Sequence, residues 1–511
     1  MRHTACGERV SVAAALLVAA FARVDTAAAQ TPGLPVVPIA GAPNGSAATP
    51  FEGSPAVPSP VNGGPPPPRN PFMAPNPRSN IHDDPYMSDT YRSTGPLGDG
   101  PEISTLFARE CASVTFDSAG RIVTICVGLD RPVLALLDPR SLATLAAMPL
   151  PVRDTQSLGN PFGDFSGGGY FYLDQHDRAV LSTNDHHVLV VSITAGPGFQ
   201  VTADYDLSGV VPAGEGIISV LPDWHGRLWF VTRGGEVGTI DRADGAVRTM
   251  RLAGEGISNS FAVDRTGGVF VVSDKALYRF DANSKGAPEV SWRVVYPNSG
   301  VRKPGQSDAG SGTTPTLMGG GWVAITDNAD PMHVVVYRRG RRLRGPKRHR
   351  RLVCSAAVFG KGTGSTDNSL IGTSRSLVAE NNYGYSVAST MNGGVTAPGL
   401  ARVDVVKKKG RRGKRKRRFR CRTAWTSDER APSVVPKLSL ANGLVYTYTK
   451  PPRSDGLDAW YLTALDFRSG RTVFRRLAGT GFGFNNNYAP VTLGPDGTAY
   501  VGVLGGLVEL P

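Results

Sequence analysis

Ser260-Phe-Ala-Val-Asp264, Val269-Phe-Val-Val272, Leu277-Tyr-Arg-Phe280 and Val290-Ser-Trp-Arg-Val-Val-Tyr296 are four short runs of β-branched, aromatic and other apolar residues. Turn residues such as Asp264-Arg-Thr-Gly267 separate them. Short runs of this composition bounded by Gly and Asp read as strands, and tight turns make the neighbours antiparallel. The four together predict one four-stranded blade. The same grammar returns at 217–220, 227–232, 237–241 and 246–252, and again at 438–440, 444–449, 459–466 and 472–477.

The opening turn of such a unit recurs eight times along the chain. The copies are Asp117-Ser-Ala-Gly120, Asp174-Gln-His-Asp177, Asp223-Trp-His-Gly226, Asp264-Arg-Thr-Gly267, Gly319-Gly-Gly321, Gly372-Thr-Ser-Arg375, Asn442-Gly443 and Pro495-Asp-Gly497. They lie roughly 40 to 70 residues apart, the period of propellers and repeat arrays. The fold class predicted is all-β, a single β-propeller of eight four-stranded antiparallel blades over 100–511. Seven blades is the alternative, because the unit near 360–422 is irregular. The last unit stops after three strands (489–493, 498–503, 506–510). Ile103-Ser-Thr-Leu-Phe107 stands where a fourth is needed, and an N-terminal strand that completes the last blade removes an exposed sheet edge. Sparse charge (19%) and 62 glycines suit a turn-rich β protein.

Residues 1–29 read as a signal peptide. Arg2 and Arg9 supply the basic start, 11–21 an apolar stretch too short to span a bilayer, and Ala27-Ala28-Ala29 the small residues of a cleavage site. Residues 30–79, which include Pro65-Pro66-Pro67-Pro68, predict a disordered Pro/Gly-rich tether. Residues 80–99 carry His82, Tyr86, Met87 and Tyr91, and so predict an ordered arm against the body. No later stretch reads as a membrane helix. The expected location is secreted, extracellular or associated with the cell envelope, and a monomer is expected.

Four cysteines follow the leader, an even number that fits disulfides in an oxidising compartment. Cys111 and Cys126 flank one hairpin turn almost symmetrically and are expected to pair. Cys354 and Cys421 each border a basic run and are either a second bridge or free buried thiols.

Leu465-Asp-Phe-Arg-Ser-Gly-Arg-Thr-Val-Phe474 resembles the strand–turn–strand motif of quinoprotein-type (PQQ-like) propellers, in which an Asp, a Thr/Ser-Gly turn and an aromatic residue tie blades together. Weaker echoes stand at 240–245 and 137–142. The resemblance covers 100–511 as blade pattern. It also extends to uncharacterised secreted actinobacterial propeller proteins. Phe474 stands where that family has Trp. The family's vicinal Cys-Cys pair beside the cofactor has no counterpart, which ranks PQQ-dependent redox chemistry last among the readings.

In a propeller, the loops that enter each innermost strand share a face with those joining second and third strands, and that face opens on the central channel, a concave place that ligands favour. The candidate ligand-binding residues in these loops are Asp185, His186, Asn259, Asp308, Asp367, Asn368, Asn485, Asn486 and Asn487. Asp164, Glu255, Asp428, Glu429 and Asp455 fall in the same loops. Asp327, Asn328, Glu380, Asn381 and Asn382 supply the carboxylate and amide oxygens that Ca²⁺ takes. Gluconolactonase-like and paraoxonase-like propellers hold a catalytic Ca²⁺ with such groups, a resemblance that implies lactone or ester hydrolysis with His186 or an Asp as base. The competing reading is that Asp and Asn merely cap their own turns. His186 and His187 are adjacent and would point to opposite faces of a strand, which disfavours a shared zinc. The chain has no Gly-x-Ser-x-Gly elbow, zinc-protease helix, phosphate-binding loop or Cys-x-x-Cys.

Two insertions carry the positive charge. Residues 338–351 hold nine Lys and Arg and 407–422 hold twelve, with no acid in either; without those 21 charges the formal +14 becomes −7. Both are expected opposite the channel mouth, as one patch for an anionic envelope polymer or lipid headgroups rather than nucleic acid. Three functions follow in order: a secreted binding or scaffold protein with a small polar or glycan ligand at the channel, a Ca²⁺-dependent hydrolase or lactonase, and a quinone-dependent oxidoreductase.

Overall fold

The computed structural model describes residues 48–128, 131–152, 167–343, 350–407 and 419–511. Eight sheets, each built on four antiparallel strands, form a β-propeller. Residues 1–29, expected to be a signal peptide, residues 30–47 of the expected tether, Asp164 and the centres of both basic insertions (344–349, 408–418) lie outside the described residues.

Blade 1 runs Glu110–Phe116, Ile122–Val127, Val133–Leu137 and Thr144–Pro149. Blades 2, 3 and 4 start at Tyr172–Leu173, Ile217–Pro222 and Ala262–Val263. Blades 5, 6 and 7 start at Thr316–Met318, Ile371–Gly372 and Lys437–Ser439. Each has four strands from the channel outward, and blade 7 gains two more from the N-terminal segment. Blade 8 takes Val491–Leu493, Ala499–Val503 and Gly506–Leu510 from the C-terminus, and Ser104–Phe107 completes it antiparallel to Gly506–Leu510. A Cβ on Gly506 would lie 1.7 Å from the Leu106 carbonyl, so the closing strand fits against bare backbone there.

The eight turns join first to second strands, and four share one mechanism. In each, the Asp Oδ1 accepts the backbone N–H groups two and four residues on: Ala119 and Arg121 for Asp117, His176 and Arg178 for Asp174, His225 and Arg227 for Asp223, Thr266 and Gly268 for Asp264. In the first three the Arg then binds the Asp's second oxygen. Blade 4 has Gly268 instead, and the buried Arg279 guanidinium fills the place, 2.6 Å from where a Cβ would stand.

The turn at Asp466 is closed by its own side chain, with Asp466 Oδ1 accepting the N–H and hydroxyl of Ser469. Its echo at Asp138 is built the same way around Ser141. The aromatic tie differs from expectation. Trp425, on the outer strand of blade 6, lies over Gly470 and donates its Nε1–H to the Phe467 carbonyl of blade 7. Phe474 instead stacks on Phe51 at 5.8 Å between centroids. Both disulfides form. Cys111–Cys126 spans neighbouring strands of blade 1, and Cys354–Cys421 joins the outer strands of blades 5 and 6.

Residues 48–79 correct the expected tether: they are packed, not disordered. Phe51–Gly53 adds an outer strand to blade 7. Ser59 and Val61 donate their N–H groups to the carbonyls of Asn442 and Leu440. Met73 and Asn70 are fully buried. Residues 80–98 continue round the ring. Strap carbonyls of Ser79, Pro85, Tyr86, Ser88, Asp89 and Tyr91 accept the N–H groups of Leu173, Val263, Leu317, Gly372, Leu438 and Leu440. Arg78 reaches the Phe116 carbonyl of blade 1, Asn70 the Pro222 carbonyl of blade 3, and Thr94 packs against Gly497 of blade 8. The segment therefore touches all eight blades, and between Asn70 and Thr94 it does so at the ends of their innermost strands beside the first turns.

Candidate functional site: the central channel

The strap closes the channel with a buried polar floor. Lys437, on the innermost strand of blade 7, is fully buried and donates to Asp89 Oδ1, to Asp83 Oδ1 (3.4 Å) and to the Ile81 carbonyl. His82 Nδ1 lies 3.1 Å from Asp89 Oδ1, and Ser369 donates its hydroxyl to Asp89 Oδ2. Asp84 accepts the Ser88 hydroxyl and the Tyr86 N–H. Burial alone would raise the Asp89 carboxyl, but Lys437 and His82 together pull it below the usual carboxylate range. Burial likewise opposes the Lys437 charge, and Asp83 and Asp89 outweigh it, so the ammonium holds its proton more tightly than usual. Asp83 is pushed well up by burial, and burial lifts Asp84 to about 7. One Asp–Lys ion pair thus sits among two carboxyls that resist ionisation.

Above the floor, Tyr170, Asp367 and Tyr488 are enclosed by protein yet keep part-exposed surface, as groups lining a channel do. The Tyr170 ring stacks on His82 at 6.1 Å, and its hydroxyl donates to Asn259 Oδ1 at 3.3 Å. Asp367 Oδ2 accepts the Ser307 N–H, while burial raises its carboxyl to about 7. The loop that carries Ser307 runs between blades 4 and 5 and crosses the mouth. Its Gly305 carbonyl accepts the Tyr488 hydroxyl, and its Asp308 lies 3.6 Å from Arg233.

Beside the channel, Glu380 is buried with Oε1 accepting the side-chain amides of Asn368 and Asn382 and Oε2 accepting the Thr447 hydroxyl. Burial drives its carboxyl well above the ordinary range, against those three hydrogen bonds. Tyr385 donates to Asn487 Oδ1 (3.1 Å) and to the Asn486 carbonyl (2.8 Å). Asn485 Nδ2 donates to Thr390, and Asn486 Nδ2 to the carbonyls of Ala489 and Gly502.

Of the sequence candidates, Asn259 accepts the Tyr170 hydroxyl, Asp367 accepts the Ser307 N–H and Asp308 lies beside Arg233, whereas Asn368 is buried and donates to Glu380 and the Val434 carbonyl. Asp185 turns back on the Thr183 hydroxyl, and His186 Nε2 meets the Glu215 carbonyl at 2.8 Å. His187 engages Asp204 instead, so the histidine pair diverges. Asp327 accepts the N–H groups of Ala329 and His333 within its own loop, and Asn328 Nδ2 donates to Asn298 and Val301. Asn381 bridges Thr363 and Pro398. The five residues expected to ligate Ca²⁺ are thus placed as two hydrogen-bonded groups on blades 5 and 6. Glu380, the one carboxylate of its trio, faces amide and hydroxyl donors, whereas a calcium site gathers six to eight oxygens on one point. Among the described residues, no group of three or more His, Cys, Asp or Glu is placed to hold a metal ion. Sequence reading missed Tyr170, Tyr488, Lys437 and the strap's His82 and Asp89. The only signal for the last two was the mixed aromatic and charged composition of 80–91.

No family model matches the sequence. An uncharacterized protein from Archaeoglobus fulgidus is 29% identical over 324 residues, which is 59% of this chain and 62% of that protein's length. The chain therefore spans less than two thirds of that relative. Among solved structures, the quinohemoprotein alcohol dehydrogenase ADHIIG from Pseudomonas putida HK5 superposes with a TM-score of 0.52 at 10% identity, over 86% of this chain and 80% of that one. Streptogramin B lyase gives a TM-score of 0.38 at 9% identity, over 80% and 96%. BamB from Moraxella catarrhalis gives 0.38 at 14% identity, over 65% and 93%. At these identities the likeness concerns the fold alone.

Proposed function

We propose that the protein is an extracellular binding or scaffold propeller that takes a small polar ligand at the channel mouth and uses its basic loops to dock on an anionic envelope polymer. The observation that carries the reading is the meeting of Tyr170, Asn259, Asp308 and Asp367, drawn from loops of different blades, above a channel closed at its other end. Most oxygens there are already held by N–H or O–H donors. Such preorganisation suits recognition by hydrogen bonds, at little cost in ordering on binding. Two disulfides fit an oxidising compartment. The described bases of the basic loops lie on the strap face. Arg339 covers the Tyr86 ring at 4.6 Å, and Arg351 covers Trp292 at 4.4 Å. A ligand at the mouth and a polymer on the opposite face need not compete.

The docking half is tested by retention on immobilised teichoic-type polymer across a salt series. The full chain should be retained at low salt and released as salt rises, since polyanion contacts release counterions. Deleting 407–420 should remove most of that retention. Unchanged retention contradicts the polymer role and leaves the channel reading untouched.

A further inference from the structure

The two basic hairpins are fastened to one another, and what that fastening does rests on the docking half of the reading above. One hairpin follows Arg338 and returns at Leu352 on blade 5; the other follows Lys407 and returns at Phe419 on blade 6. The returning outer strands, Leu352–Ala357 and Phe419–Ser427, belong to different sheets and share no ladder. They are nevertheless laced together. Cys354 and Cys421, each the third residue of its strand, are bridged with their Cα atoms 5.4 Å apart. Further along, the Thr423 hydroxyl donates to the Ala357 carbonyl at 3.4 Å. At the strand starts, the Phe419 ring meets Trp322 of blade 5 edge to face at 4.9 Å. The guanidinium of Arg375, on the first turn of blade 6, lies 5.8 Å from both rings. The two strands thus run the same way and start side by side on the strap face, where both hairpins open.

The described base of the first hairpin is itself tied down. Arg351 donates to the carbonyls of Arg338, Gly340 and Arg341. Beside the strand starts, Arg350, Lys407, Arg420 and Arg422 are exposed, as is Arg375 between them. Neither basic run contains an acid to offset them. Two hairpins of like charge repel, so left unlinked they favour positions apart. The bridge stands at the one place where it opposes that repulsion, directly behind the hairpin bases. A polymer that engages one hairpin then finds the second at high effective concentration. Most of the cations here are arginine, whose planar fork matches phosphate oxygens.

We propose that the Cys354–Cys421 bridge makes the two hairpins a single site, which takes one linear phosphate-bearing polymer across the seam between blades 5 and 6. The test is equilibrium binding of long-chain polyphosphate, and of tripolyphosphate as a chain short enough to sit on one hairpin, at one fixed salt concentration. The full chain is compared with Cys354→Ser/Cys421→Ser and with Cys111→Ser/Cys126→Ser, all well below the lowest unfolding temperature of the three. Loss of the inter-blade bridge should weaken long-chain polyphosphate about tenfold or more and tripolyphosphate by less than about twofold. Loss of the bridge within blade 1 should leave both affinities at the parent's values. If Cys354→Ser/Cys421→Ser does not fold, mild reduction of the folded parent gives the same comparison, because Cys354 and Cys421 are part-exposed whereas Cys111 and Cys126 are fully buried. Long-chain affinity that survives loss of the inter-blade bridge overturns the inference. So does a tripolyphosphate loss as large as the long-chain loss, or an equal long-chain loss in Cys111→Ser/Cys126→Ser, which would make the effect one of stability. All three leave the docking reading standing. A parent that binds no long-chain polyphosphate overturns the docking reading together with the inference.

Discussion

At the residue scale, the chemistry that matters most was the least visible in the sequence. Lys437 pairs with Asp89 across 348 positions, and no local pattern announces such a partner. Asn259 and Asp367 could be located from the sequence because the mouth loops of a ring carry some of their polar residues to the channel. Asp185 and Asp327 occupy equivalent loops and spend their oxygens on their own turns, a choice that depends on neighbours a few ångströms away. Removing Lys437 leaves buried carboxylates unpaired, so Lys437→Met should cost about 3–5 kcal/mol in urea unfolding. A loss within experimental scatter would mean that the pair does not anchor the strap. Asp84 gives a pH signature. Its carboxyl, raised to about 7 by burial, holds a proton that the unfolded chain has already released, so it subtracts stability as pH climbs from its unfolded value toward 7. Asp84→Asn should therefore gain in melting temperature relative to the parent between pH 5 and pH 8. Parallel curves would contradict the assignment. Asp89 acts in the opposite sense: its contribution is present above the ordinary carboxylate range and is lost as pH falls through its lowered folded value.

Among the elements, strands and first turns were legible because each carries its own signal: alternating β-branched and aromatic residues, then an Asp whose oxygen closes the turn. The strap was misread from 48 to 79 because a Pro-rich, weakly apolar segment cannot fold alone. It is ordered by carbonyls and N–H groups exchanged with the blades, as in Ala74 N–H to the Leu173 carbonyl, and composition does not report on bonds supplied by another part of the chain. The closing strand gives a sharp prediction. A methyl at Gly506 meets the Leu106 carbonyl, so Gly506→Ala should destabilise by about 1–3 kcal/mol in chemical denaturation, and an unchanged midpoint would deny that contact. Cys354–Cys421 closes a separation of 67 residues between two blades. By loop entropy, the double Cys→Ser variant should lose up to about 4 kcal/mol. Stability equal to the parent's would show that the bridge adds nothing to the ring.

For the whole molecule, a ring of eight blades turns residues hundreds of positions apart into neighbours, and the N-terminal strap gives that ring two unlike faces. One face carries the first turns, the strap and the described bases of the basic loops. The other carries the mouth, with Asp367 and the loop around Ser307. The ring and its closing strand could be read from eight spaced turns and a three-stranded last unit. The plug could not, because its polar side chains find partners only once the ring exists. Hydrogen exchange of the strap amides tests this arrangement most directly. If residues 79–93 lie across the innermost strands as described, the N–H groups of Leu173, Val263, Leu317, Gly372, Leu438 and Leu440, all donated to strap carbonyls, should exchange as slowly as the blade interiors. They should become fast together when residues 48–93 are deleted. Rapid exchange of those six in the intact protein, or no change on deletion, would contradict a channel floored by the strap.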